Sequence, residues 1–109
     1  MTFSKKERDM YNKDRNIICA CLGITVNQYN WFRRMGEKLH KIYENDCNGL
    51  YESEDIALVL AEEIMQPTTL KANKLGLDIY YQTDPRGATI YLDTKPIAKN
   101  AYNNAHCIY

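Results

Sequence analysis

Two hydrophobic periods divide the chain. Up to Lys74 apolar residues recur every three or four positions, and beyond Gly76 they crowd into short runs rich in β-branched and aromatic residues. In the first region Ser4 and Glu7 have capping-box spacing, which predicts a helix through Leu22. The early part of that helix is polar, and Ile17, Ile18, Cys21 and Leu22 supply its expected buried face. Gly23 is the expected stop, because glycine adopts a left-handed conformation at little cost.

Thr25 and Gln28 repeat the capping-box signal. Behind them Tyr29, Phe32, Gly36, Leu39 and Tyr43 fall on one face of an amphipathic helix that ends at Asn48-Gly49. Ser53 opens a third helix with Glu54 and Asp55 in its first turn, where the helix dipole favours negative charge. Ile56, Val59, Leu60 and Ile64 are its expected buried stripe. Pro67 is expected to end this helix or to restart a short fourth one through Lys74, with the exit at Gly76.

From Leu77 the pattern changes to that of strands. Leu77 to Gln82 and Ala88 to Leu92 flank Asp84-Pro85-Arg86-Gly87, whose proline and glycine suit a type I turn, so a β-hairpin is expected. A hairpin alone is marginal, and His106 to Tyr109 are candidates for a short third strand. The fold expected is therefore α+β: three or four helices (about 4–74) packed on a small antiparallel hairpin or sheet (about 77–93), followed by a polar tail (94–109).

At 109 residues this is the length of one domain, and no segment reads as a linker. Fourteen basic and fourteen acidic residues balance, which argues against broad phosphate neutralisation without excluding a local basic patch. Residues 1–14 are charged and lack the apolar run of an export signal, so a reducing, cytoplasmic setting is expected. In that setting the four cysteines are expected to act as small buried apolar residues.

Three constellations have chemistry to weigh. Glu44, Asp46, Asn48, Gly49, Glu52 and Asp55 fall at the ligand and glycine positions of an EF-hand loop. The first ligand is one methylene too long and the last one too short, and a C-cap followed by an acidic first turn explains the same residues. A helix-turn-helix reading puts Asn27, Gln28, Asn30, Arg33 and Arg34 at the exposed start of the second helix, where such side chains read bases and phosphates. Nine tyrosines are the third feature. Tyr80, Tyr81 and Tyr91 with Arg86 at the turn suit either stacking on a nucleotide or a protein hot spot, and a purely structural use of them stays open. No nucleophile elbow or glycine-rich phosphate loop is present, so no enzymatic activity and no cofactor are expected.

The string Tyr81-Gln82-Thr83-Asp84-Pro85-Arg86-Gly87, with Leu75-Gly76-Leu77 before it and Ile90-Tyr91-Leu92 after it, resembles a segment of small bacteriophage-encoded or prophage-encoded proteins of uncharacterised activity. Cys47-Asn48-Gly49 after an amphipathic helix is similar to the same group. The resemblance implies a phage accessory protein acting in the host cytoplasm, with a host protein as partner and anti-defence inhibition, for example of CRISPR systems, as one form of that role. It transfers no functional residue. On the residues themselves the expected partner surface combines Trp31, Arg34, Tyr81, Arg86 and Tyr91. A nucleotide-binding sponge and a helix-turn-helix DNA binder are the alternatives, and self-association is open.

Overall fold

The computed structural model describes residues 4–49, 54–84, 86–94 and 106–109. Three helices, α1 (Lys5–Leu22), α2 (Val26–Cys47) and α3 (Glu54–Lys74), precede three strands, β1 (Leu77–Asp84), β2 (Gly87–Thr94) and β3 (His106–Cys107). The strands form one antiparallel sheet in the order β1-β2-β3. The α+β architecture with helices on a small C-terminal sheet is thus the observed one, and His106-Cys107 do form the third strand.

Local chemistry sets the boundaries. The Ser4 hydroxyl accepts the Glu7 N–H at 3.2 Å to start α1, and Gly23 ends it at φ 70°. At α2 both halves of the capping box form: Thr25 Oγ1 accepts from Gln28 N–H at 3.1 Å, and Gln28 Oε1 accepts from Thr25 N–H at 2.8 Å. Ser53, the expected opening of α3, lies outside the described residues.

α2 is the central beam. Its buried residues Tyr29, Phe32, Gly36 and Leu39 follow the expected face, and it packs on both β2 and α3. One core cluster gathers Leu22, Phe32, Ala72, Leu77, Leu92 and Ile108, and a second gathers Leu39, Ala61, Ala88 and Ile90. Two glycines let α2 lie close to the sheet. A Cβ on Gly36 would stand 2.6 Å from Cβ of Tyr109, and one on Gly87 would run into the His40 ring.

Three expectations are corrected. Pro67 does not break α3, which runs through it unbroken. Pro67 and Glu63 are both exposed, so the helical bond that Pro67 withholds from the Glu63 carbonyl is lost on the outer face of α3 and not in the core. The buried stripe of α3 is not Ile56, Val59, Leu60 and Ile64 but Ala57, Ala61, Thr68 and Ala72; Ile56 and Val59 are exposed, and Leu60 and Ile64 half-buried. Small residues let the helix approach α2 and the sheet, and the Thr68 hydroxyl is satisfied by donating to the Ile64 carbonyl at 2.6 Å. On α1 the buried positions are Cys19 and Leu22, whereas Ile17 and Cys21 face solvent.

Candidate partner-binding surface

The hairpin turn is built by Asp84. Its Oδ1 accepts the N–H groups of Arg86 at 2.7 Å and Gly87 at 3.1 Å, and Asp84 pairs directly with Gly87. That pairing fixes the register: Tyr80 faces Tyr91, and Tyr81 faces Ile90. Successive side chains alternate between faces, so Tyr81 and Tyr91 belong to opposite sides of the sheet. Tyr80 and Tyr91 stack at 5.2 Å between ring centroids and 14° between planes, while Tyr81 turns toward α2 and meets Tyr43 at 6.2 Å.

The five residues expected to form one partner surface are therefore divided. Tyr81 and Arg86 are exposed on the hairpin, Tyr81 on its helix side and Arg86 at its turn. Tyr91 lies on the far face. Trp31 is half-buried, edge-on to Phe32 at 5.3 Å with Lys71 Nζ 4.4 Å above its ring, and so serves packing. Trp31 lies twelve residues before Tyr43 on α2, about 18 Å along the helix, and the exposed Arg34 sits one turn on from it.

What the structure brings together instead is a cleft of ≈ 310 Å³ under the hairpin turn. Tyr43, Asp46 and Cys47 from the end of α2, Ala57 and Leu58 from the start of α3, and Thr83 and Asp84 from β1 line it. Burial, then the hydrogen bond with Tyr81, pushes the Tyr43 phenol up to about 12, so it stays neutral and able to donate. The cleft thus joins an apolar floor, an aromatic wall and two carboxylates. Such a lining attracts a cationic or amphipathic side chain and repels a phosphate. Helical spacing alone puts Tyr43 on the buried face of α2; only the fold reveals that it pairs with Tyr81.

Behind this surface, His40 ties α2 to β2. Its Nδ1 lies 3.2 Å from the Ala88 N–H and 3.1 Å from the Ala88 carbonyl, so either neutral tautomer makes a bond there, accepting from the first or donating to the second. The ring also meets Tyr109 edge-on at 5.2 Å. These contacts hold the strand that carries Arg86's neighbour Gly87 against the helix that carries Tyr43.

The calcium-loop residues do not converge. Glu44 and Asp46 are still within α2, two residues and about 200° apart around the helix, and Glu44 lies 3.7 Å from His40 Nε2. Asn48 caps the helix, Asp55 is exposed in the first turn of α3, and Glu52 lies outside the described residues. Among the described residues no three His, Cys, Asp or Glu side chains gather as a metal site.

The helix-turn-helix set is largely engaged within the protein. Gln28 closes the capping box, Asn30 is half-buried, and Arg33 lies 4.7 Å from the Tyr11 ring and 3.7 Å from Glu37; Asn27 and Arg34 are exposed. Cys19 is the buried cysteine, its thiol pushed up by burial, whereas Cys21, Cys47 and Cys107 are exposed, contrary to the expectation that all four pack inside. No helix among the described residues is long and apolar enough to cross a membrane. No family model, curated protein or solved structure matches the chain.

Proposed function

We propose that the protein is a non-enzymatic accessory protein that works by binding another protein, and that the hairpin turn and the cleft beneath it are the surface it uses. The observation that carries this reading is the Tyr43–Tyr81 pair beside a cleft walled by three separate elements, with Asp46 and Asp84 as its charged lining. Tyrosines supply rigid, amphipathic contact area at small entropic cost, and carboxylates beside them select a basic side chain of the partner. Taken with the phage resemblance of the Tyr81–Gly87 string, the partner is a host protein and the outcome is inhibition of a host function, defence among them. The two carboxylates make the nucleotide-sponge alternative the weaker one, since nucleotide phosphates would be repelled there.

A photo-crosslinking residue placed at Tyr81 or Arg86 and exposed to host extract is expected to give one discrete protein adduct. The same residue at Asn27, exposed at the start of α2, should give none, and Asp46→Lys should abolish the adduct at Tyr81. Equal crosslinking from all three positions, or an adduct indifferent to Asp46→Lys, would remove the cleft from the interface.

A further inference from the structure

The outward faces of α1 and α3 carry apolar side chains that the protein's own core leaves uncovered. On α1, Met10 is 58% and Ile17 52% exposed; on α3, Ile56 is 40%, Val59 57% and Leu70 60% exposed. These are not scattered positions. Lys6, Met10, Lys13, Ile17 and Ala20 follow one another at spacings of four, three, four and three, and all are exposed. Ile56, Val59, Glu63, Gln66 and Leu70 follow at three, four, three and four, again all exposed. Alternation of three and four is the spacing by which one helix seats its side chains against another along a continuous seam. Each seam spans fifteen residues, about 22 Å.

The charges say which seam fits which. Residues 54–70 carry four carboxylates (Glu54, Asp55, Glu62, Glu63) and no basic residue. The α1 seam places Lys6 and Lys13 among its apolar positions, with Asp9 on one flank and Asp14 on the other, and α1 as a whole has five basic residues against three acidic. Pairing α3 with another α3 would set Glu63 against like charge, and pairing α1 with another α1 would do the same for its lysines. Pairing α1 with α3 sets lysine against glutamate along the apolar stripe. Both seams point away from their own core, since α1 buries Cys19 and Leu22 and α3 buries Ala57, Ala61 and Ala72. Within one chain they do not cover one another, since all ten positions are exposed.

We infer that α1 of one copy packs along α3 of a second copy, so that the protein self-associates head-to-tail through a lysine–glutamate helix seam. A shallow hollow beside Pro67, lined by Glu62, Met65, Gln66 and Leu70, lies on this face of α3 and receives an apolar side chain of α1. Because the two faces differ, the contact is heterologous: it closes into a ring or extends as an open chain. The seam does not depend on the hairpin cleft: Ala57 and Leu58, which line the cleft, share the start of α3 with Ile56 and Val59, but the rest of the seam runs along α3 beyond it.

Sedimentation velocity of the full chain tests it. Wild type at its highest soluble concentration in low salt is expected to show at least twice the mass of one chain, falling as salt is raised. Lys6→Glu with Lys13→Glu makes both seams acidic, and Glu62→Lys with Glu63→Lys makes both basic. Each double variant, and Leu70→Glu as a second disruptor, should sediment as a monomer with a wild-type far-ultraviolet circular dichroism spectrum. Mixing the acidic and basic variants should restore assembly, because each then offers the complement of the other. A wild type that stays monomeric, an assembly untouched by both charge reversals, or a mixture that fails to reassociate would each overturn the inference.

Discussion

Replacing Gly36 by alanine sets two opposed effects against each other, and the structure decides the sign. Gly36 is buried in the middle of α2, where alanine would stabilise the helix by about 1 kcal/mol through backbone entropy alone. The added Cβ would stand 2.6 Å from Cβ of Tyr109, whereas carbon atoms in contact prefer about 3.5–4.0 Å, so roughly 1 Å must open. Tyr109 is not free to give way. Its carbonyl accepts the Ile90 N–H at 3.0 Å, the neighbouring Ile108 N–H donates to the Ile90 carbonyl at 2.9 Å, and its ring rests on His40. Overpacking of this kind costs about 1–3 kcal/mol, and loosening one of those bonds about 1 kcal/mol more. The clash wins, and Gly36→Ala should destabilise by about 1–3 kcal/mol.

The control is Tyr109→Gly, which removes the Cβ that collides while keeping the backbone bonds. In that background the nearest remaining neighbour is Ile90 Cδ1 at 3.8 Å, an ordinary contact, and Gly36→Ala should stabilise by up to about 1 kcal/mol. Urea unfolding of the four chains, read as midpoints at constant slope, gives the cycle, with an expected coupling of about 2–4 kcal/mol. If Gly36→Ala stabilises both backgrounds equally, α2 does not approach Tyr109 this closely. The account of why Gly36 is glycine would then be wrong.

Other outcomes follow from the same structure. Ala72→Leu, at a fully buried site, should cost about 1–3 kcal/mol in chemical denaturation, whereas Lys74→Gln, two residues away and exposed, should stay within about 0.5 kcal/mol. Asp93 is 4% exposed, faces Asp78 across the strands and has no partner for Oδ2 among the described residues, so Asp93→Asn should raise the thermal midpoint; a fall would mean that the carboxylate is satisfied. For Tyr43, ultraviolet titration should show a phenolate step near pH 12 that is missing in Tyr43→Phe. Because the folded phenol holds its proton above the unfolded value of about 10, its contribution to stability is complete below pH 10 and is lost as pH rises from there toward 12. Thr25→Ala breaks the capping box and should cost about 1 kcal/mol, with helix content in the circular dichroism spectrum falling earlier on heating.

Where the chemistry is local, the sequence is enough to place an element. The Thr25–Gln28 box, Gly23, and the Asp84-to-Gly87 turn each close hydrogen bonds within a few residues, and each stands where its residues predict. α2 is equally legible because its inward positions, Gly36 apart, are large and many of its outward ones charged. On α3 the same reasoning inverted the faces, because both sides of that helix are apolar. Hydrophobicity ranks Ile56 and Val59 above Ala57 and Ala61 as core residues, yet close approach to α2 and the sheet selects the smaller side chains. Side-chain size on the neighbouring elements decides that choice, and a single helix's pattern does not contain it.

The divided partner surface has a different cause, and part of it was within reach. Once Asp84 faces Gly87, each step back along β1 is matched by one step forward along β2, so Tyr80 must face Tyr91 and Tyr81 must face Ile90. Parity alone then separates Tyr81 from Tyr91 before any packing is considered. Which side Tyr81 takes follows from Ile90 and Leu92, whose burial turns that face of the sheet toward the helices. That Tyr43 rather than Trp31 meets it depends on where α2 crosses the sheet, and Gly36, His40 and Gly87 set the crossing by close contact. The crossing is the long-range fact on which the proposed cleft rests: a substitution that shifts α2 along β2 should disable partner capture without touching a cleft residue.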